Sequence, residues 1–246
     1  MKNQFSKKFG QVFLKDRNIA RFEAGLYDYA FGNSILEIGP GEGALTEFLL
    51  ESNPSLTVIE SDHRYVDILQ DRFRAQIANK HLTILKKDFL DVEGGKCDAI
   101  FGNIPYHISS EILFSLSKFT FRKCILMVQL EFAKRMRALQ GQEDYSRLSV
   151  NTYLRYKVRI EKVVNRKCFQ PVPRVDSAIV SLVPRNEYSE EDILKADSVI
   201  RELFSNRRKK IGTVYRNCPE NIKDKRVEEL SPEDIFLFAL NKDTTR

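Results

Sequence analysis

Short apolar runs alternate with amphipathic stretches along the first part of the chain. The apolar runs predict buried strands over residues 34–39, 57–60, 82–85, 97–102 and 124–129. The stretches after three of these runs carry apolar residues at helical spacing and predict helices over residues 44–51, 65–78 and 109–117. Strands that alternate with helices are typical of parallel βαβ units, so the pattern predicts an α/β fold.

The pattern changes near residue 186. Two more strand candidates, residues 156–164 and 177–183, precede this point. Beyond it, charged and helix-like segments follow one another with no strand between them, over residues 190–204, 206–217 and 231–240. We therefore predict a first domain over residues 1–185 and a small helical domain over residues 186–246.

Basic residues concentrate in two short segments of a chain whose formal net charge is +6. Residues 1–17 hold five lysines and arginines against one acid, and residues 201–210 hold the same numbers. Such segments are typical of a polyanion-binding protein, although basic runs are also found simply solvated. The candidate polyanion-binding residues are Lys7, Lys8, Arg207, Arg208, Lys209 and Lys210.

Other features exclude several classes of protein. The four cysteines lie far apart and form no CxxC pair, so we expect neither a zinc motif nor a disulfide framework, and no metal site. No apolar run approaches the roughly 18 residues of a membrane span, and no apolar block follows the basic N-terminus as in a secretory signal. These features fit a protein of the reducing cytoplasm that does not enter a membrane.

A glycine-rich turn follows the first predicted strand. Gly39 and Gly41 lie where this strand passes into a helix, and the free N–H groups of a helix N-terminus face whatever binds there. Glu60 ends the second strand 21 positions after Gly39, the spacing of an acid that binds ribose hydroxyls. Glu42, within the turn, would repel a pyrophosphate but tolerate a positively charged amino-acid tail, which favours S-adenosylmethionine over NAD. The alternative is a βα corner with no ligand.

Polar residues also follow the third and fourth predicted strands. Asp88 would accept a hydrogen bond from an adenine amine, or else cap a turn. Asn103-Ile104-Pro105-Tyr106 follows the fourth strand, at the edge where doubly wound sheets bind ligands. Oδ1 of Asn103 and a backbone carbonyl stiffened by Pro105 would accept hydrogen bonds from an adenine N6 amine, a poor nucleophile that such bonds activate. Tyr106 would stack on a flipped-out base, and an Asn-initiated turn with a packed tyrosine is the alternative.

Two further side chains have a functional and a structural interpretation. Phe169 precedes Pro171 and Pro173 and would close the other side of the base, or pack in the core. His107 follows Tyr106 and would contact the substrate, or lie at the surface. We find no paired carboxylates and no Ser/His/Asp arrangement that indicate hydrolysis, whereas methyl transfer needs only positioning and charge complementarity.

Six segments of the chain resemble the rRNA adenine N6-dimethyltransferase family. They are Phe9–Leu14 (FGQVFL), Glu37–Gly41 (EIGPG), Asn103–Tyr106 (NIPY), Asp144–Val150 (DYSRLSV), Phe169–Ala178 (FQPVPRVDSA) and Phe204–Lys209 (FSNRRK). The resemblance implies a Rossmann-like class I methyltransferase sheet that binds S-adenosylmethionine, with a small C-terminal helical domain. The last three segments look like the KsgA-type branch, which modifies two adjacent adenines near the 3′ end of small-subunit rRNA. The Erm-type branch instead modifies one large-subunit adenine and confers macrolide resistance.

The family's roles are carried over only to positions that match its motifs. The implied cofactor-binding residues are Gln11, Val12, Leu14, Gly39, Gly41, Glu60, Asp88 and Asn103. The implied catalytic residues, which hold the target base, are Asn103, Pro105, Tyr106 and Phe169. Val12 replaces a frequent asparagine, so only a backbone contact would remain there, and His107 replaces the more usual Asn or Gln.

The sequence therefore predicts an S-adenosylmethionine-dependent enzyme that dimethylates N6 of two adjacent adenosines in a hairpin loop of small-subunit rRNA. The expected partner is this rRNA within a pre-ribosomal particle, and we expect a cytoplasmic monomer. Three alternatives remain open. They are an Erm-type large-subunit methyltransferase, a non-catalytic assembly or transcription factor on the same fold, and a small-molecule methyltransferase, which would not need two basic clusters.

Overall fold

The computed structural model describes residues 12–52 and 54–243. The strands are β1 (Phe13–Leu14), β2 (Ser34–Ile38), β3 (Ser55–Glu60), β4 (Leu82–Lys86), β5 (Gly95–Lys96), β6 (Ala99–Asn103), β7 (Phe119–Thr120), β8 (Lys123–Gln129), β9 (Tyr156–Val164), β10 (Phe169–Gln170) and β11 (Ser177–Pro184). The α-helices are α1 (Arg17–Ala24), α2 (Ala44–Glu51), α3 (His63–Arg72), α4 (Arg74–Ala78), α5 (Ser109–Ser115), α6 (Leu130–Arg137), α7 (Arg147–Arg155), α8 (Glu190–Ser205), α9 (Ile211–Val214), α10 (Glu220–Lys223) and α11 (Pro232–Asp243).

One seven-stranded sheet carries all seven strands that the sequence predicts, in the order β4-β3-β2-β6-β8-β11-β9. β4, β3, β2, β6 and β8 are parallel neighbours, whereas β11 is antiparallel to β8. The chain leaves β2 toward β3 on one side and later returns to β6 on the other side. The carboxyl ends of β2 and β6 therefore form a switch point, where open α/β sheets bind their ligands.

The middle of this sheet is apolar because its parallel strands are buried on both faces. Ile35 of β2, Phe101 of β6 and Ile125 of β8 are at most 1% exposed. This burial explains why these strands appear in the sequence as continuous apolar runs without polar alternation. It also makes any acid within them conspicuous.

Three helices differ from the sequence prediction. The helix predicted over residues 65–78 is two helices, because the chain breaks at Phe73, where φ is −112° and ψ is 30°. The Phe73 ring lies so close to the glycine turn that a Cβ atom on Gly43 would be 2.6 Å from it. α5 ends at Ser115 and continues as the 3-10 turn Leu116–Lys118. The helix predicted over residues 206–217 is wrong in length, since only α9 is helical there.

The chain divides into two compact units. The first comprises Met1–Leu130 and Ile160–Leu182, and the second comprises Glu131–Arg159 and Val183–Arg246. This division differs from the border predicted at residue 186, because α7 belongs to the second unit. Val150 and Leu154 of α7 share one apolar core with Ile200 of α8 and Ile235 of α11. Packing between elements distant in sequence therefore determines where α7 belongs.

Within residues 12–52 and 54–243, no helix is long and apolar enough to cross a membrane. The same residues contain no cluster of three or more His, Cys, Asp or Glu side chains that would hold a metal ion.

Candidate active site

A cavity opens in the first unit at the carboxyl ends of the parallel strands. It is lined by all the predicted catalytic and cofactor-binding residues that the structure describes, namely Val12, Leu14, Gly39, Gly41, Glu60, Asp88, Asn103, Pro105, Tyr106 and Phe169. Gln11, Lys7 and Lys8 lie outside the described residues. The topology explains the gathering, because parallel strands bring their carboxyl ends to one edge of the sheet.

The glycine turn between β2 and α2 leaves one wall of the cavity open. Gly39 and Gly41 have φ values of +62° and +56°, a region that L side chains rarely adopt. A Cβ atom on Gly39 would meet nothing within 4 Å, so the space above this residue belongs to the cavity. A Cβ atom on Gly41 would come within 3.1 Å of the Phe13 ring, so this glycine instead permits close packing. The turn fits a ligand that lies directly on backbone atoms.

Glu60 holds the glycine turn from the end of β3. One carboxylate oxygen accepts a hydrogen bond from the backbone N–H of Gly41 at 3.2 Å, and the other accepts from Asp62 N–H at 2.8 Å. Burial raises the pKa of Glu60, and these backbone donors act in the opposite direction. Each carboxylate oxygen accepts more than one hydrogen bond, so the side chain retains capacity toward the cavity.

Asp88 follows β4 and forms the turn cap that was one of its two interpretations from the sequence. Its Oδ1 accepts from the backbone N–H of Leu90 at 2.9 Å and thereby caps the 3-10 turn Phe89–Asp91. The residue also lines the cavity and is exposed. Capping by Oδ1 fixes the carboxyl group and leaves Oδ2 for a ligand.

The Asn-Ile-Pro-Tyr segment forms another part of the cavity lining. Asn103 ends β6 and is half-buried, and the next N–H, that of Ile104, donates to the carbonyl of Met127 in β8 at 3.3 Å. Tyr106 is half-buried, and its hydroxyl shares a 2.7 Å hydrogen bond with Oγ of Ser177. The bond to Ser177 at the start of β11 fixes the tyrosine ring at the cavity. The sequence analysis did not identify Ser177, because a serine that begins a strand carries no signal of its own.

Phe169 both packs in the core and lines the cavity. It is 6% exposed and belongs to the apolar cluster of the first unit. Its strand, β10, pairs with β1, with Phe169 opposite Leu14. Backbone pairing thus holds Phe169, which is predicted to contact the target base, opposite Leu14, which is predicted to contact the cofactor.

Two buried acids near the cavity were missed by sequence reasoning as site residues. Glu37, the last residue but one of β2, lines the cavity and is 2% exposed, and its Oε2 accepts a 2.7 Å hydrogen bond from the hydroxyl of Thr46. Burial raises the pKa of Glu37 to about 8. Glu23 on α1 is fully buried, and burial raises its pKa well above the ordinary range. An acid inside an apolar strand or on the apolar face of a helix is the signal that would have revealed both.

Other predicted residues lie away from the cavity. His107 is exposed and does not line it. In the second unit, Arg207 donates to Glu228 at 2.7 Å and Lys210 donates to Asp224 at 2.9 Å. Arg208 and Lys209 are exposed, and their side chains contact no acid among the described residues. Of this basic run, these two residues are therefore the ones available to a polyanion.

Comparisons with known proteins agree with this geometry. The family profile described as "Ribosomal RNA adenine dimethylase" matches residues 2–234. A probable ribosomal RNA small subunit methyltransferase A from Methanosarcina acetivorans is 37% identical over 224 residues, which cover 84% of this chain and 82% of the relative. A ribosomal RNA small subunit methyltransferase A from Malacoplasma penetrans is 34% identical, with coverage of 93% and 84%.

Two solved structures are similar over nearly the whole chain. A dimethyladenosine transferase from Plasmodium falciparum superposes with a TM-score of 0.81 and 29% identity, covering 94% of this chain and 98% of that one. The 23S rRNA methyltransferase ErmE superposes with a TM-score of 0.71 and 27% identity, with coverage of 95% and 100%. These matches confirm the predicted Rossmann-like class I methyltransferase sheet. The chain belongs to the ribosomal RNA adenine dimethylase family.

Proposed function

We propose that this protein uses S-adenosylmethionine to dimethylate N6 of two adjacent adenosines in a hairpin loop near the 3′ end of small-subunit rRNA. The observation that carries the proposal is one cavity with two chemically different walls. The glycine turn with Glu60 forms one wall, and Asn103, Tyr106 and Phe169 form the other. The small-subunit assignment is supported by the names of the sequence relatives from Methanosarcina acetivorans and Malacoplasma penetrans.

The cofactor would be held by the wall that the glycine turn opens. The open space above Gly39 supports this, since a side chain there would fill the seat. Glu60 would accept hydrogen bonds from ribose hydroxyls, and Asp88 would accept one from the adenine amine. Val12 and Leu14 would contribute the apolar side of the seat, and Gln11 would adjoin them. When bound, S-adenosylmethionine supplies an activated methyl group on a positively charged sulfur.

The target base would be held by the other wall. Oδ1 of Asn103 and the carbonyl of Ile104 would accept hydrogen bonds from the adenine N6 amine, which draws electron density back onto the nitrogen. Pro105, with φ of −58°, stiffens the chain that carries this carbonyl. The rings of Tyr106 and Phe169 would enclose the base, a contact worth roughly 1–3 kcal/mol per base. A base in a single-stranded loop is cheaper to extrude than a paired one.

Basic side chains would hold the RNA backbone. Arg208 and Lys209 are exposed and have no acidic partner among the residues that the structure describes, and Lys7, Lys8, Arg207 and Lys210 would add to the positive field. Contacts of this kind bind phosphates without selecting a sequence, and their affinity falls with salt. The proposed partner is the rRNA within a pre-ribosomal particle, and the proposed state is a monomer in the cytoplasm.

The test is methyl transfer to under-methylated ribosomal subunits. Small subunits from a strain that lacks the corresponding enzyme are incubated with this protein and labelled S-adenosylmethionine, and large subunits serve as the matched control. We expect label in two adjacent adenines of small-subunit rRNA, mapped by nuclease digestion and mass spectrometry. Label in a large-subunit adenine would instead support the Erm-type alternative. Cofactor binding without transfer to either subunit would support a non-catalytic assembly factor.

A further inference from the structure

Glu23 is a fully buried acid directly behind the proposed catalytic asparagine. It lies on the inner face of α1, where its buried neighbours are Ile19, Ala20 and Ala24. With its amide nitrogen facing this acid, Asn103 donates to both carboxylate oxygens of Glu23, each at 3.0 Å. Asn103 lines the cavity and Glu23 does not, so the acid contacts the asparagine from the core side.

A buried acid at this position lowers the stability of the fold, so folding by itself does not explain why it is there. Neither Glu23 nor Glu37, the next buried acid, is paired with a lysine or arginine within residues 12–52 and 54–243. Burial of an uncompensated carboxylate is costly, and an apolar side chain would complete the inner face of α1 at no such cost. The charge of Glu37 adds to the effect of burial in raising the pKa of Glu23, whereas the hydrogen bond from Asn103 lowers it. The Asn103 contact therefore offsets only part of the cost of burying this acid.

We propose that Glu23 is a positioning residue for methyl transfer, which fixes the Asn103 amide with its nitrogen toward the core and its oxygen toward the cavity. This inference rests on the function proposed above, in which Oδ1 of Asn103 receives the target amine.

The two ends of an asparagine amide have nearly the same shape and opposite hydrogen-bonding roles. Both Glu23 oxygens lie 3.0 Å from the same end of the amide, and a carboxyl group carries a proton on at most one of them, so the reverse orientation would set Oδ1 against at least one acceptor oxygen. That orientation would also present N–H donors to an amine that needs acceptors. The Glu23 carboxylate thus selects the one amide orientation that is productive for catalysis, without touching the substrate.

The informative variant is Glu23→Gln. Glutamine keeps the size of the side chain, but its own amide both donates and accepts, so either orientation of Asn103 finds a partner. We expect kcat to fall roughly 10- to 100-fold, because orientation errors at a catalytic group have effects of this size. The KM values for S-adenosylmethionine and for rRNA should stay within about twofold, since neither ligand contacts Glu23.

The control is Glu111→Gln, which makes the same change of charge at an exposed site on α5 of the same unit. Both variants are compared with the wild type on under-methylated small subunits, and their folding is checked by thermal unfolding. A Glu23→Gln variant that unfolds at the wild-type temperature and turns over at the wild-type rate would overturn the proposal. A change in KM with unchanged kcat would overturn it as well. If the wild type itself transfers no methyl group, the proposed function fails instead, and the two failures are distinguishable.

A second measurement is made on the wild type and does not need the Glu23→Gln variant. The side-chain amide of Asn103 is assigned in the 15N NMR spectrum by its loss in Asn103→Ala. We expect its two protons to exchange slowly with water, because Glu23 holds them in the core. An amide that exchanges as fast as that of an exposed asparagine would refute the contact even if Glu23→Gln failed to fold.

Discussion

The two compact units differ in whether their buried charged residues have a partner of opposite charge. In the second unit, Arg155 has a side chain that is only 7% exposed, and it donates to Glu190 at 2.7 Å. Its other guanidinium donors reach the carbonyl and the Oδ1 of Asn151. In the first unit, Glu23 and Glu37 are buried with hydrogen bonds but without any cation among the described residues.

This difference distinguishes a buried charge that stabilises the fold from buried acids beside the candidate active site. A buried arginine with an acid and several acceptors is balanced in charge, and its removal affects folding. Buried acids without a cation have raised pKa values instead, and these two lie beside a cavity whose proposed ligand is positively charged. Acids with shifted pKa values in a cleft are candidates for function. The paired Arg155 and Glu190 of the second unit show, for comparison, how this protein compensates a buried charge.

The largest expected effect is that of Asn103→Ala. We expect methyl transfer to fall by roughly 10²–10³-fold or more, because a preorganised acceptor for the reacting amine is lost. Binding of RNA, measured by filter retention, should remain. Asn79→Ala, on the surface after α4, is the matched control. Turnover near the wild-type rate would remove Asn103 from its proposed role.

Arg155→Met tests the second unit. The variant leaves the Glu190 carboxylate and the Asn151 acceptors without their donor, and we expect a loss of about 2 kcal/mol in the free energy of unfolding. The value is at the low end for a buried pair because the Glu190 side chain is 36% exposed and regains water. Urea denaturation checks it, with the exposed Lys195→Met as a control expected to cost under about 0.5 kcal/mol. Equal losses in both variants would mean that the buried pair contributes no more than a surface one.

An effect that depends on pH is expected for Glu37→Gln. The pKa of Glu37 is raised to about 8 in the folded protein, so folding favours its protonated form. The free energy of unfolding that this group contributes should therefore decrease as pH rises from its ordinary pKa through about 8. Without cofactor, the variant should be close to the wild type at pH 5 and more stable by about 4 kcal/mol at pH 9, because each unit of pKa shift corresponds to about 1.4 kcal/mol. Thermal unfolding at several pH values checks this, and a constant difference between the two proteins across this range would contradict it.

The smallest expected effect comes from the basic run. Arg208→Ser with Lys209→Ser should weaken RNA binding by roughly 5- to 20-fold at low salt and reduce the salt slope by about 2. Cofactor affinity should not change. Arg207 is left intact because it also donates to Glu228, so its loss would mix folding with binding. Arg74→Ser with Lys96→Ser, two exposed cations of the first unit, is the control. Equal weakening in both double variants would indicate a general charge effect.

Much of the fold and most of the site were accessible from the sequence. The parallel strands are buried on both faces, so they appear as apolar runs, and their carboxyl ends share one edge. The residues that follow those ends, Gly39, Glu60, Asp88 and Asn103, could therefore be placed together before any contact was known. The helix predicted over residues 65–78 is interrupted only at Phe73, whose ring packs against Gly43, a residue distant from it in the sequence.

The rest depends on packing that no local pattern encodes. β1 and β10 have two residues each, too few to show a period. α7 has a helical pattern, but only its contacts with α8 and α11 assign it to the second unit. Glu23 is in the sequence for anyone to read, yet its importance comes from Asn103, which is 80 positions away in the chain.

The short antiparallel pairing between β1 and β10 limits where a residue can be inserted in the chain. Leu14 faces Phe169 across it, although 155 positions separate them, and the N–H of Lys15 donates to the carbonyl of Cys168 at 2.8 Å. Side chains alternate along a strand, so one inserted residue in either strand would turn the phenylalanine out of the cavity while leaving every side chain present. We therefore expect these four paired residues to tolerate no insertion, because their backbone register sets Leu14 opposite Phe169.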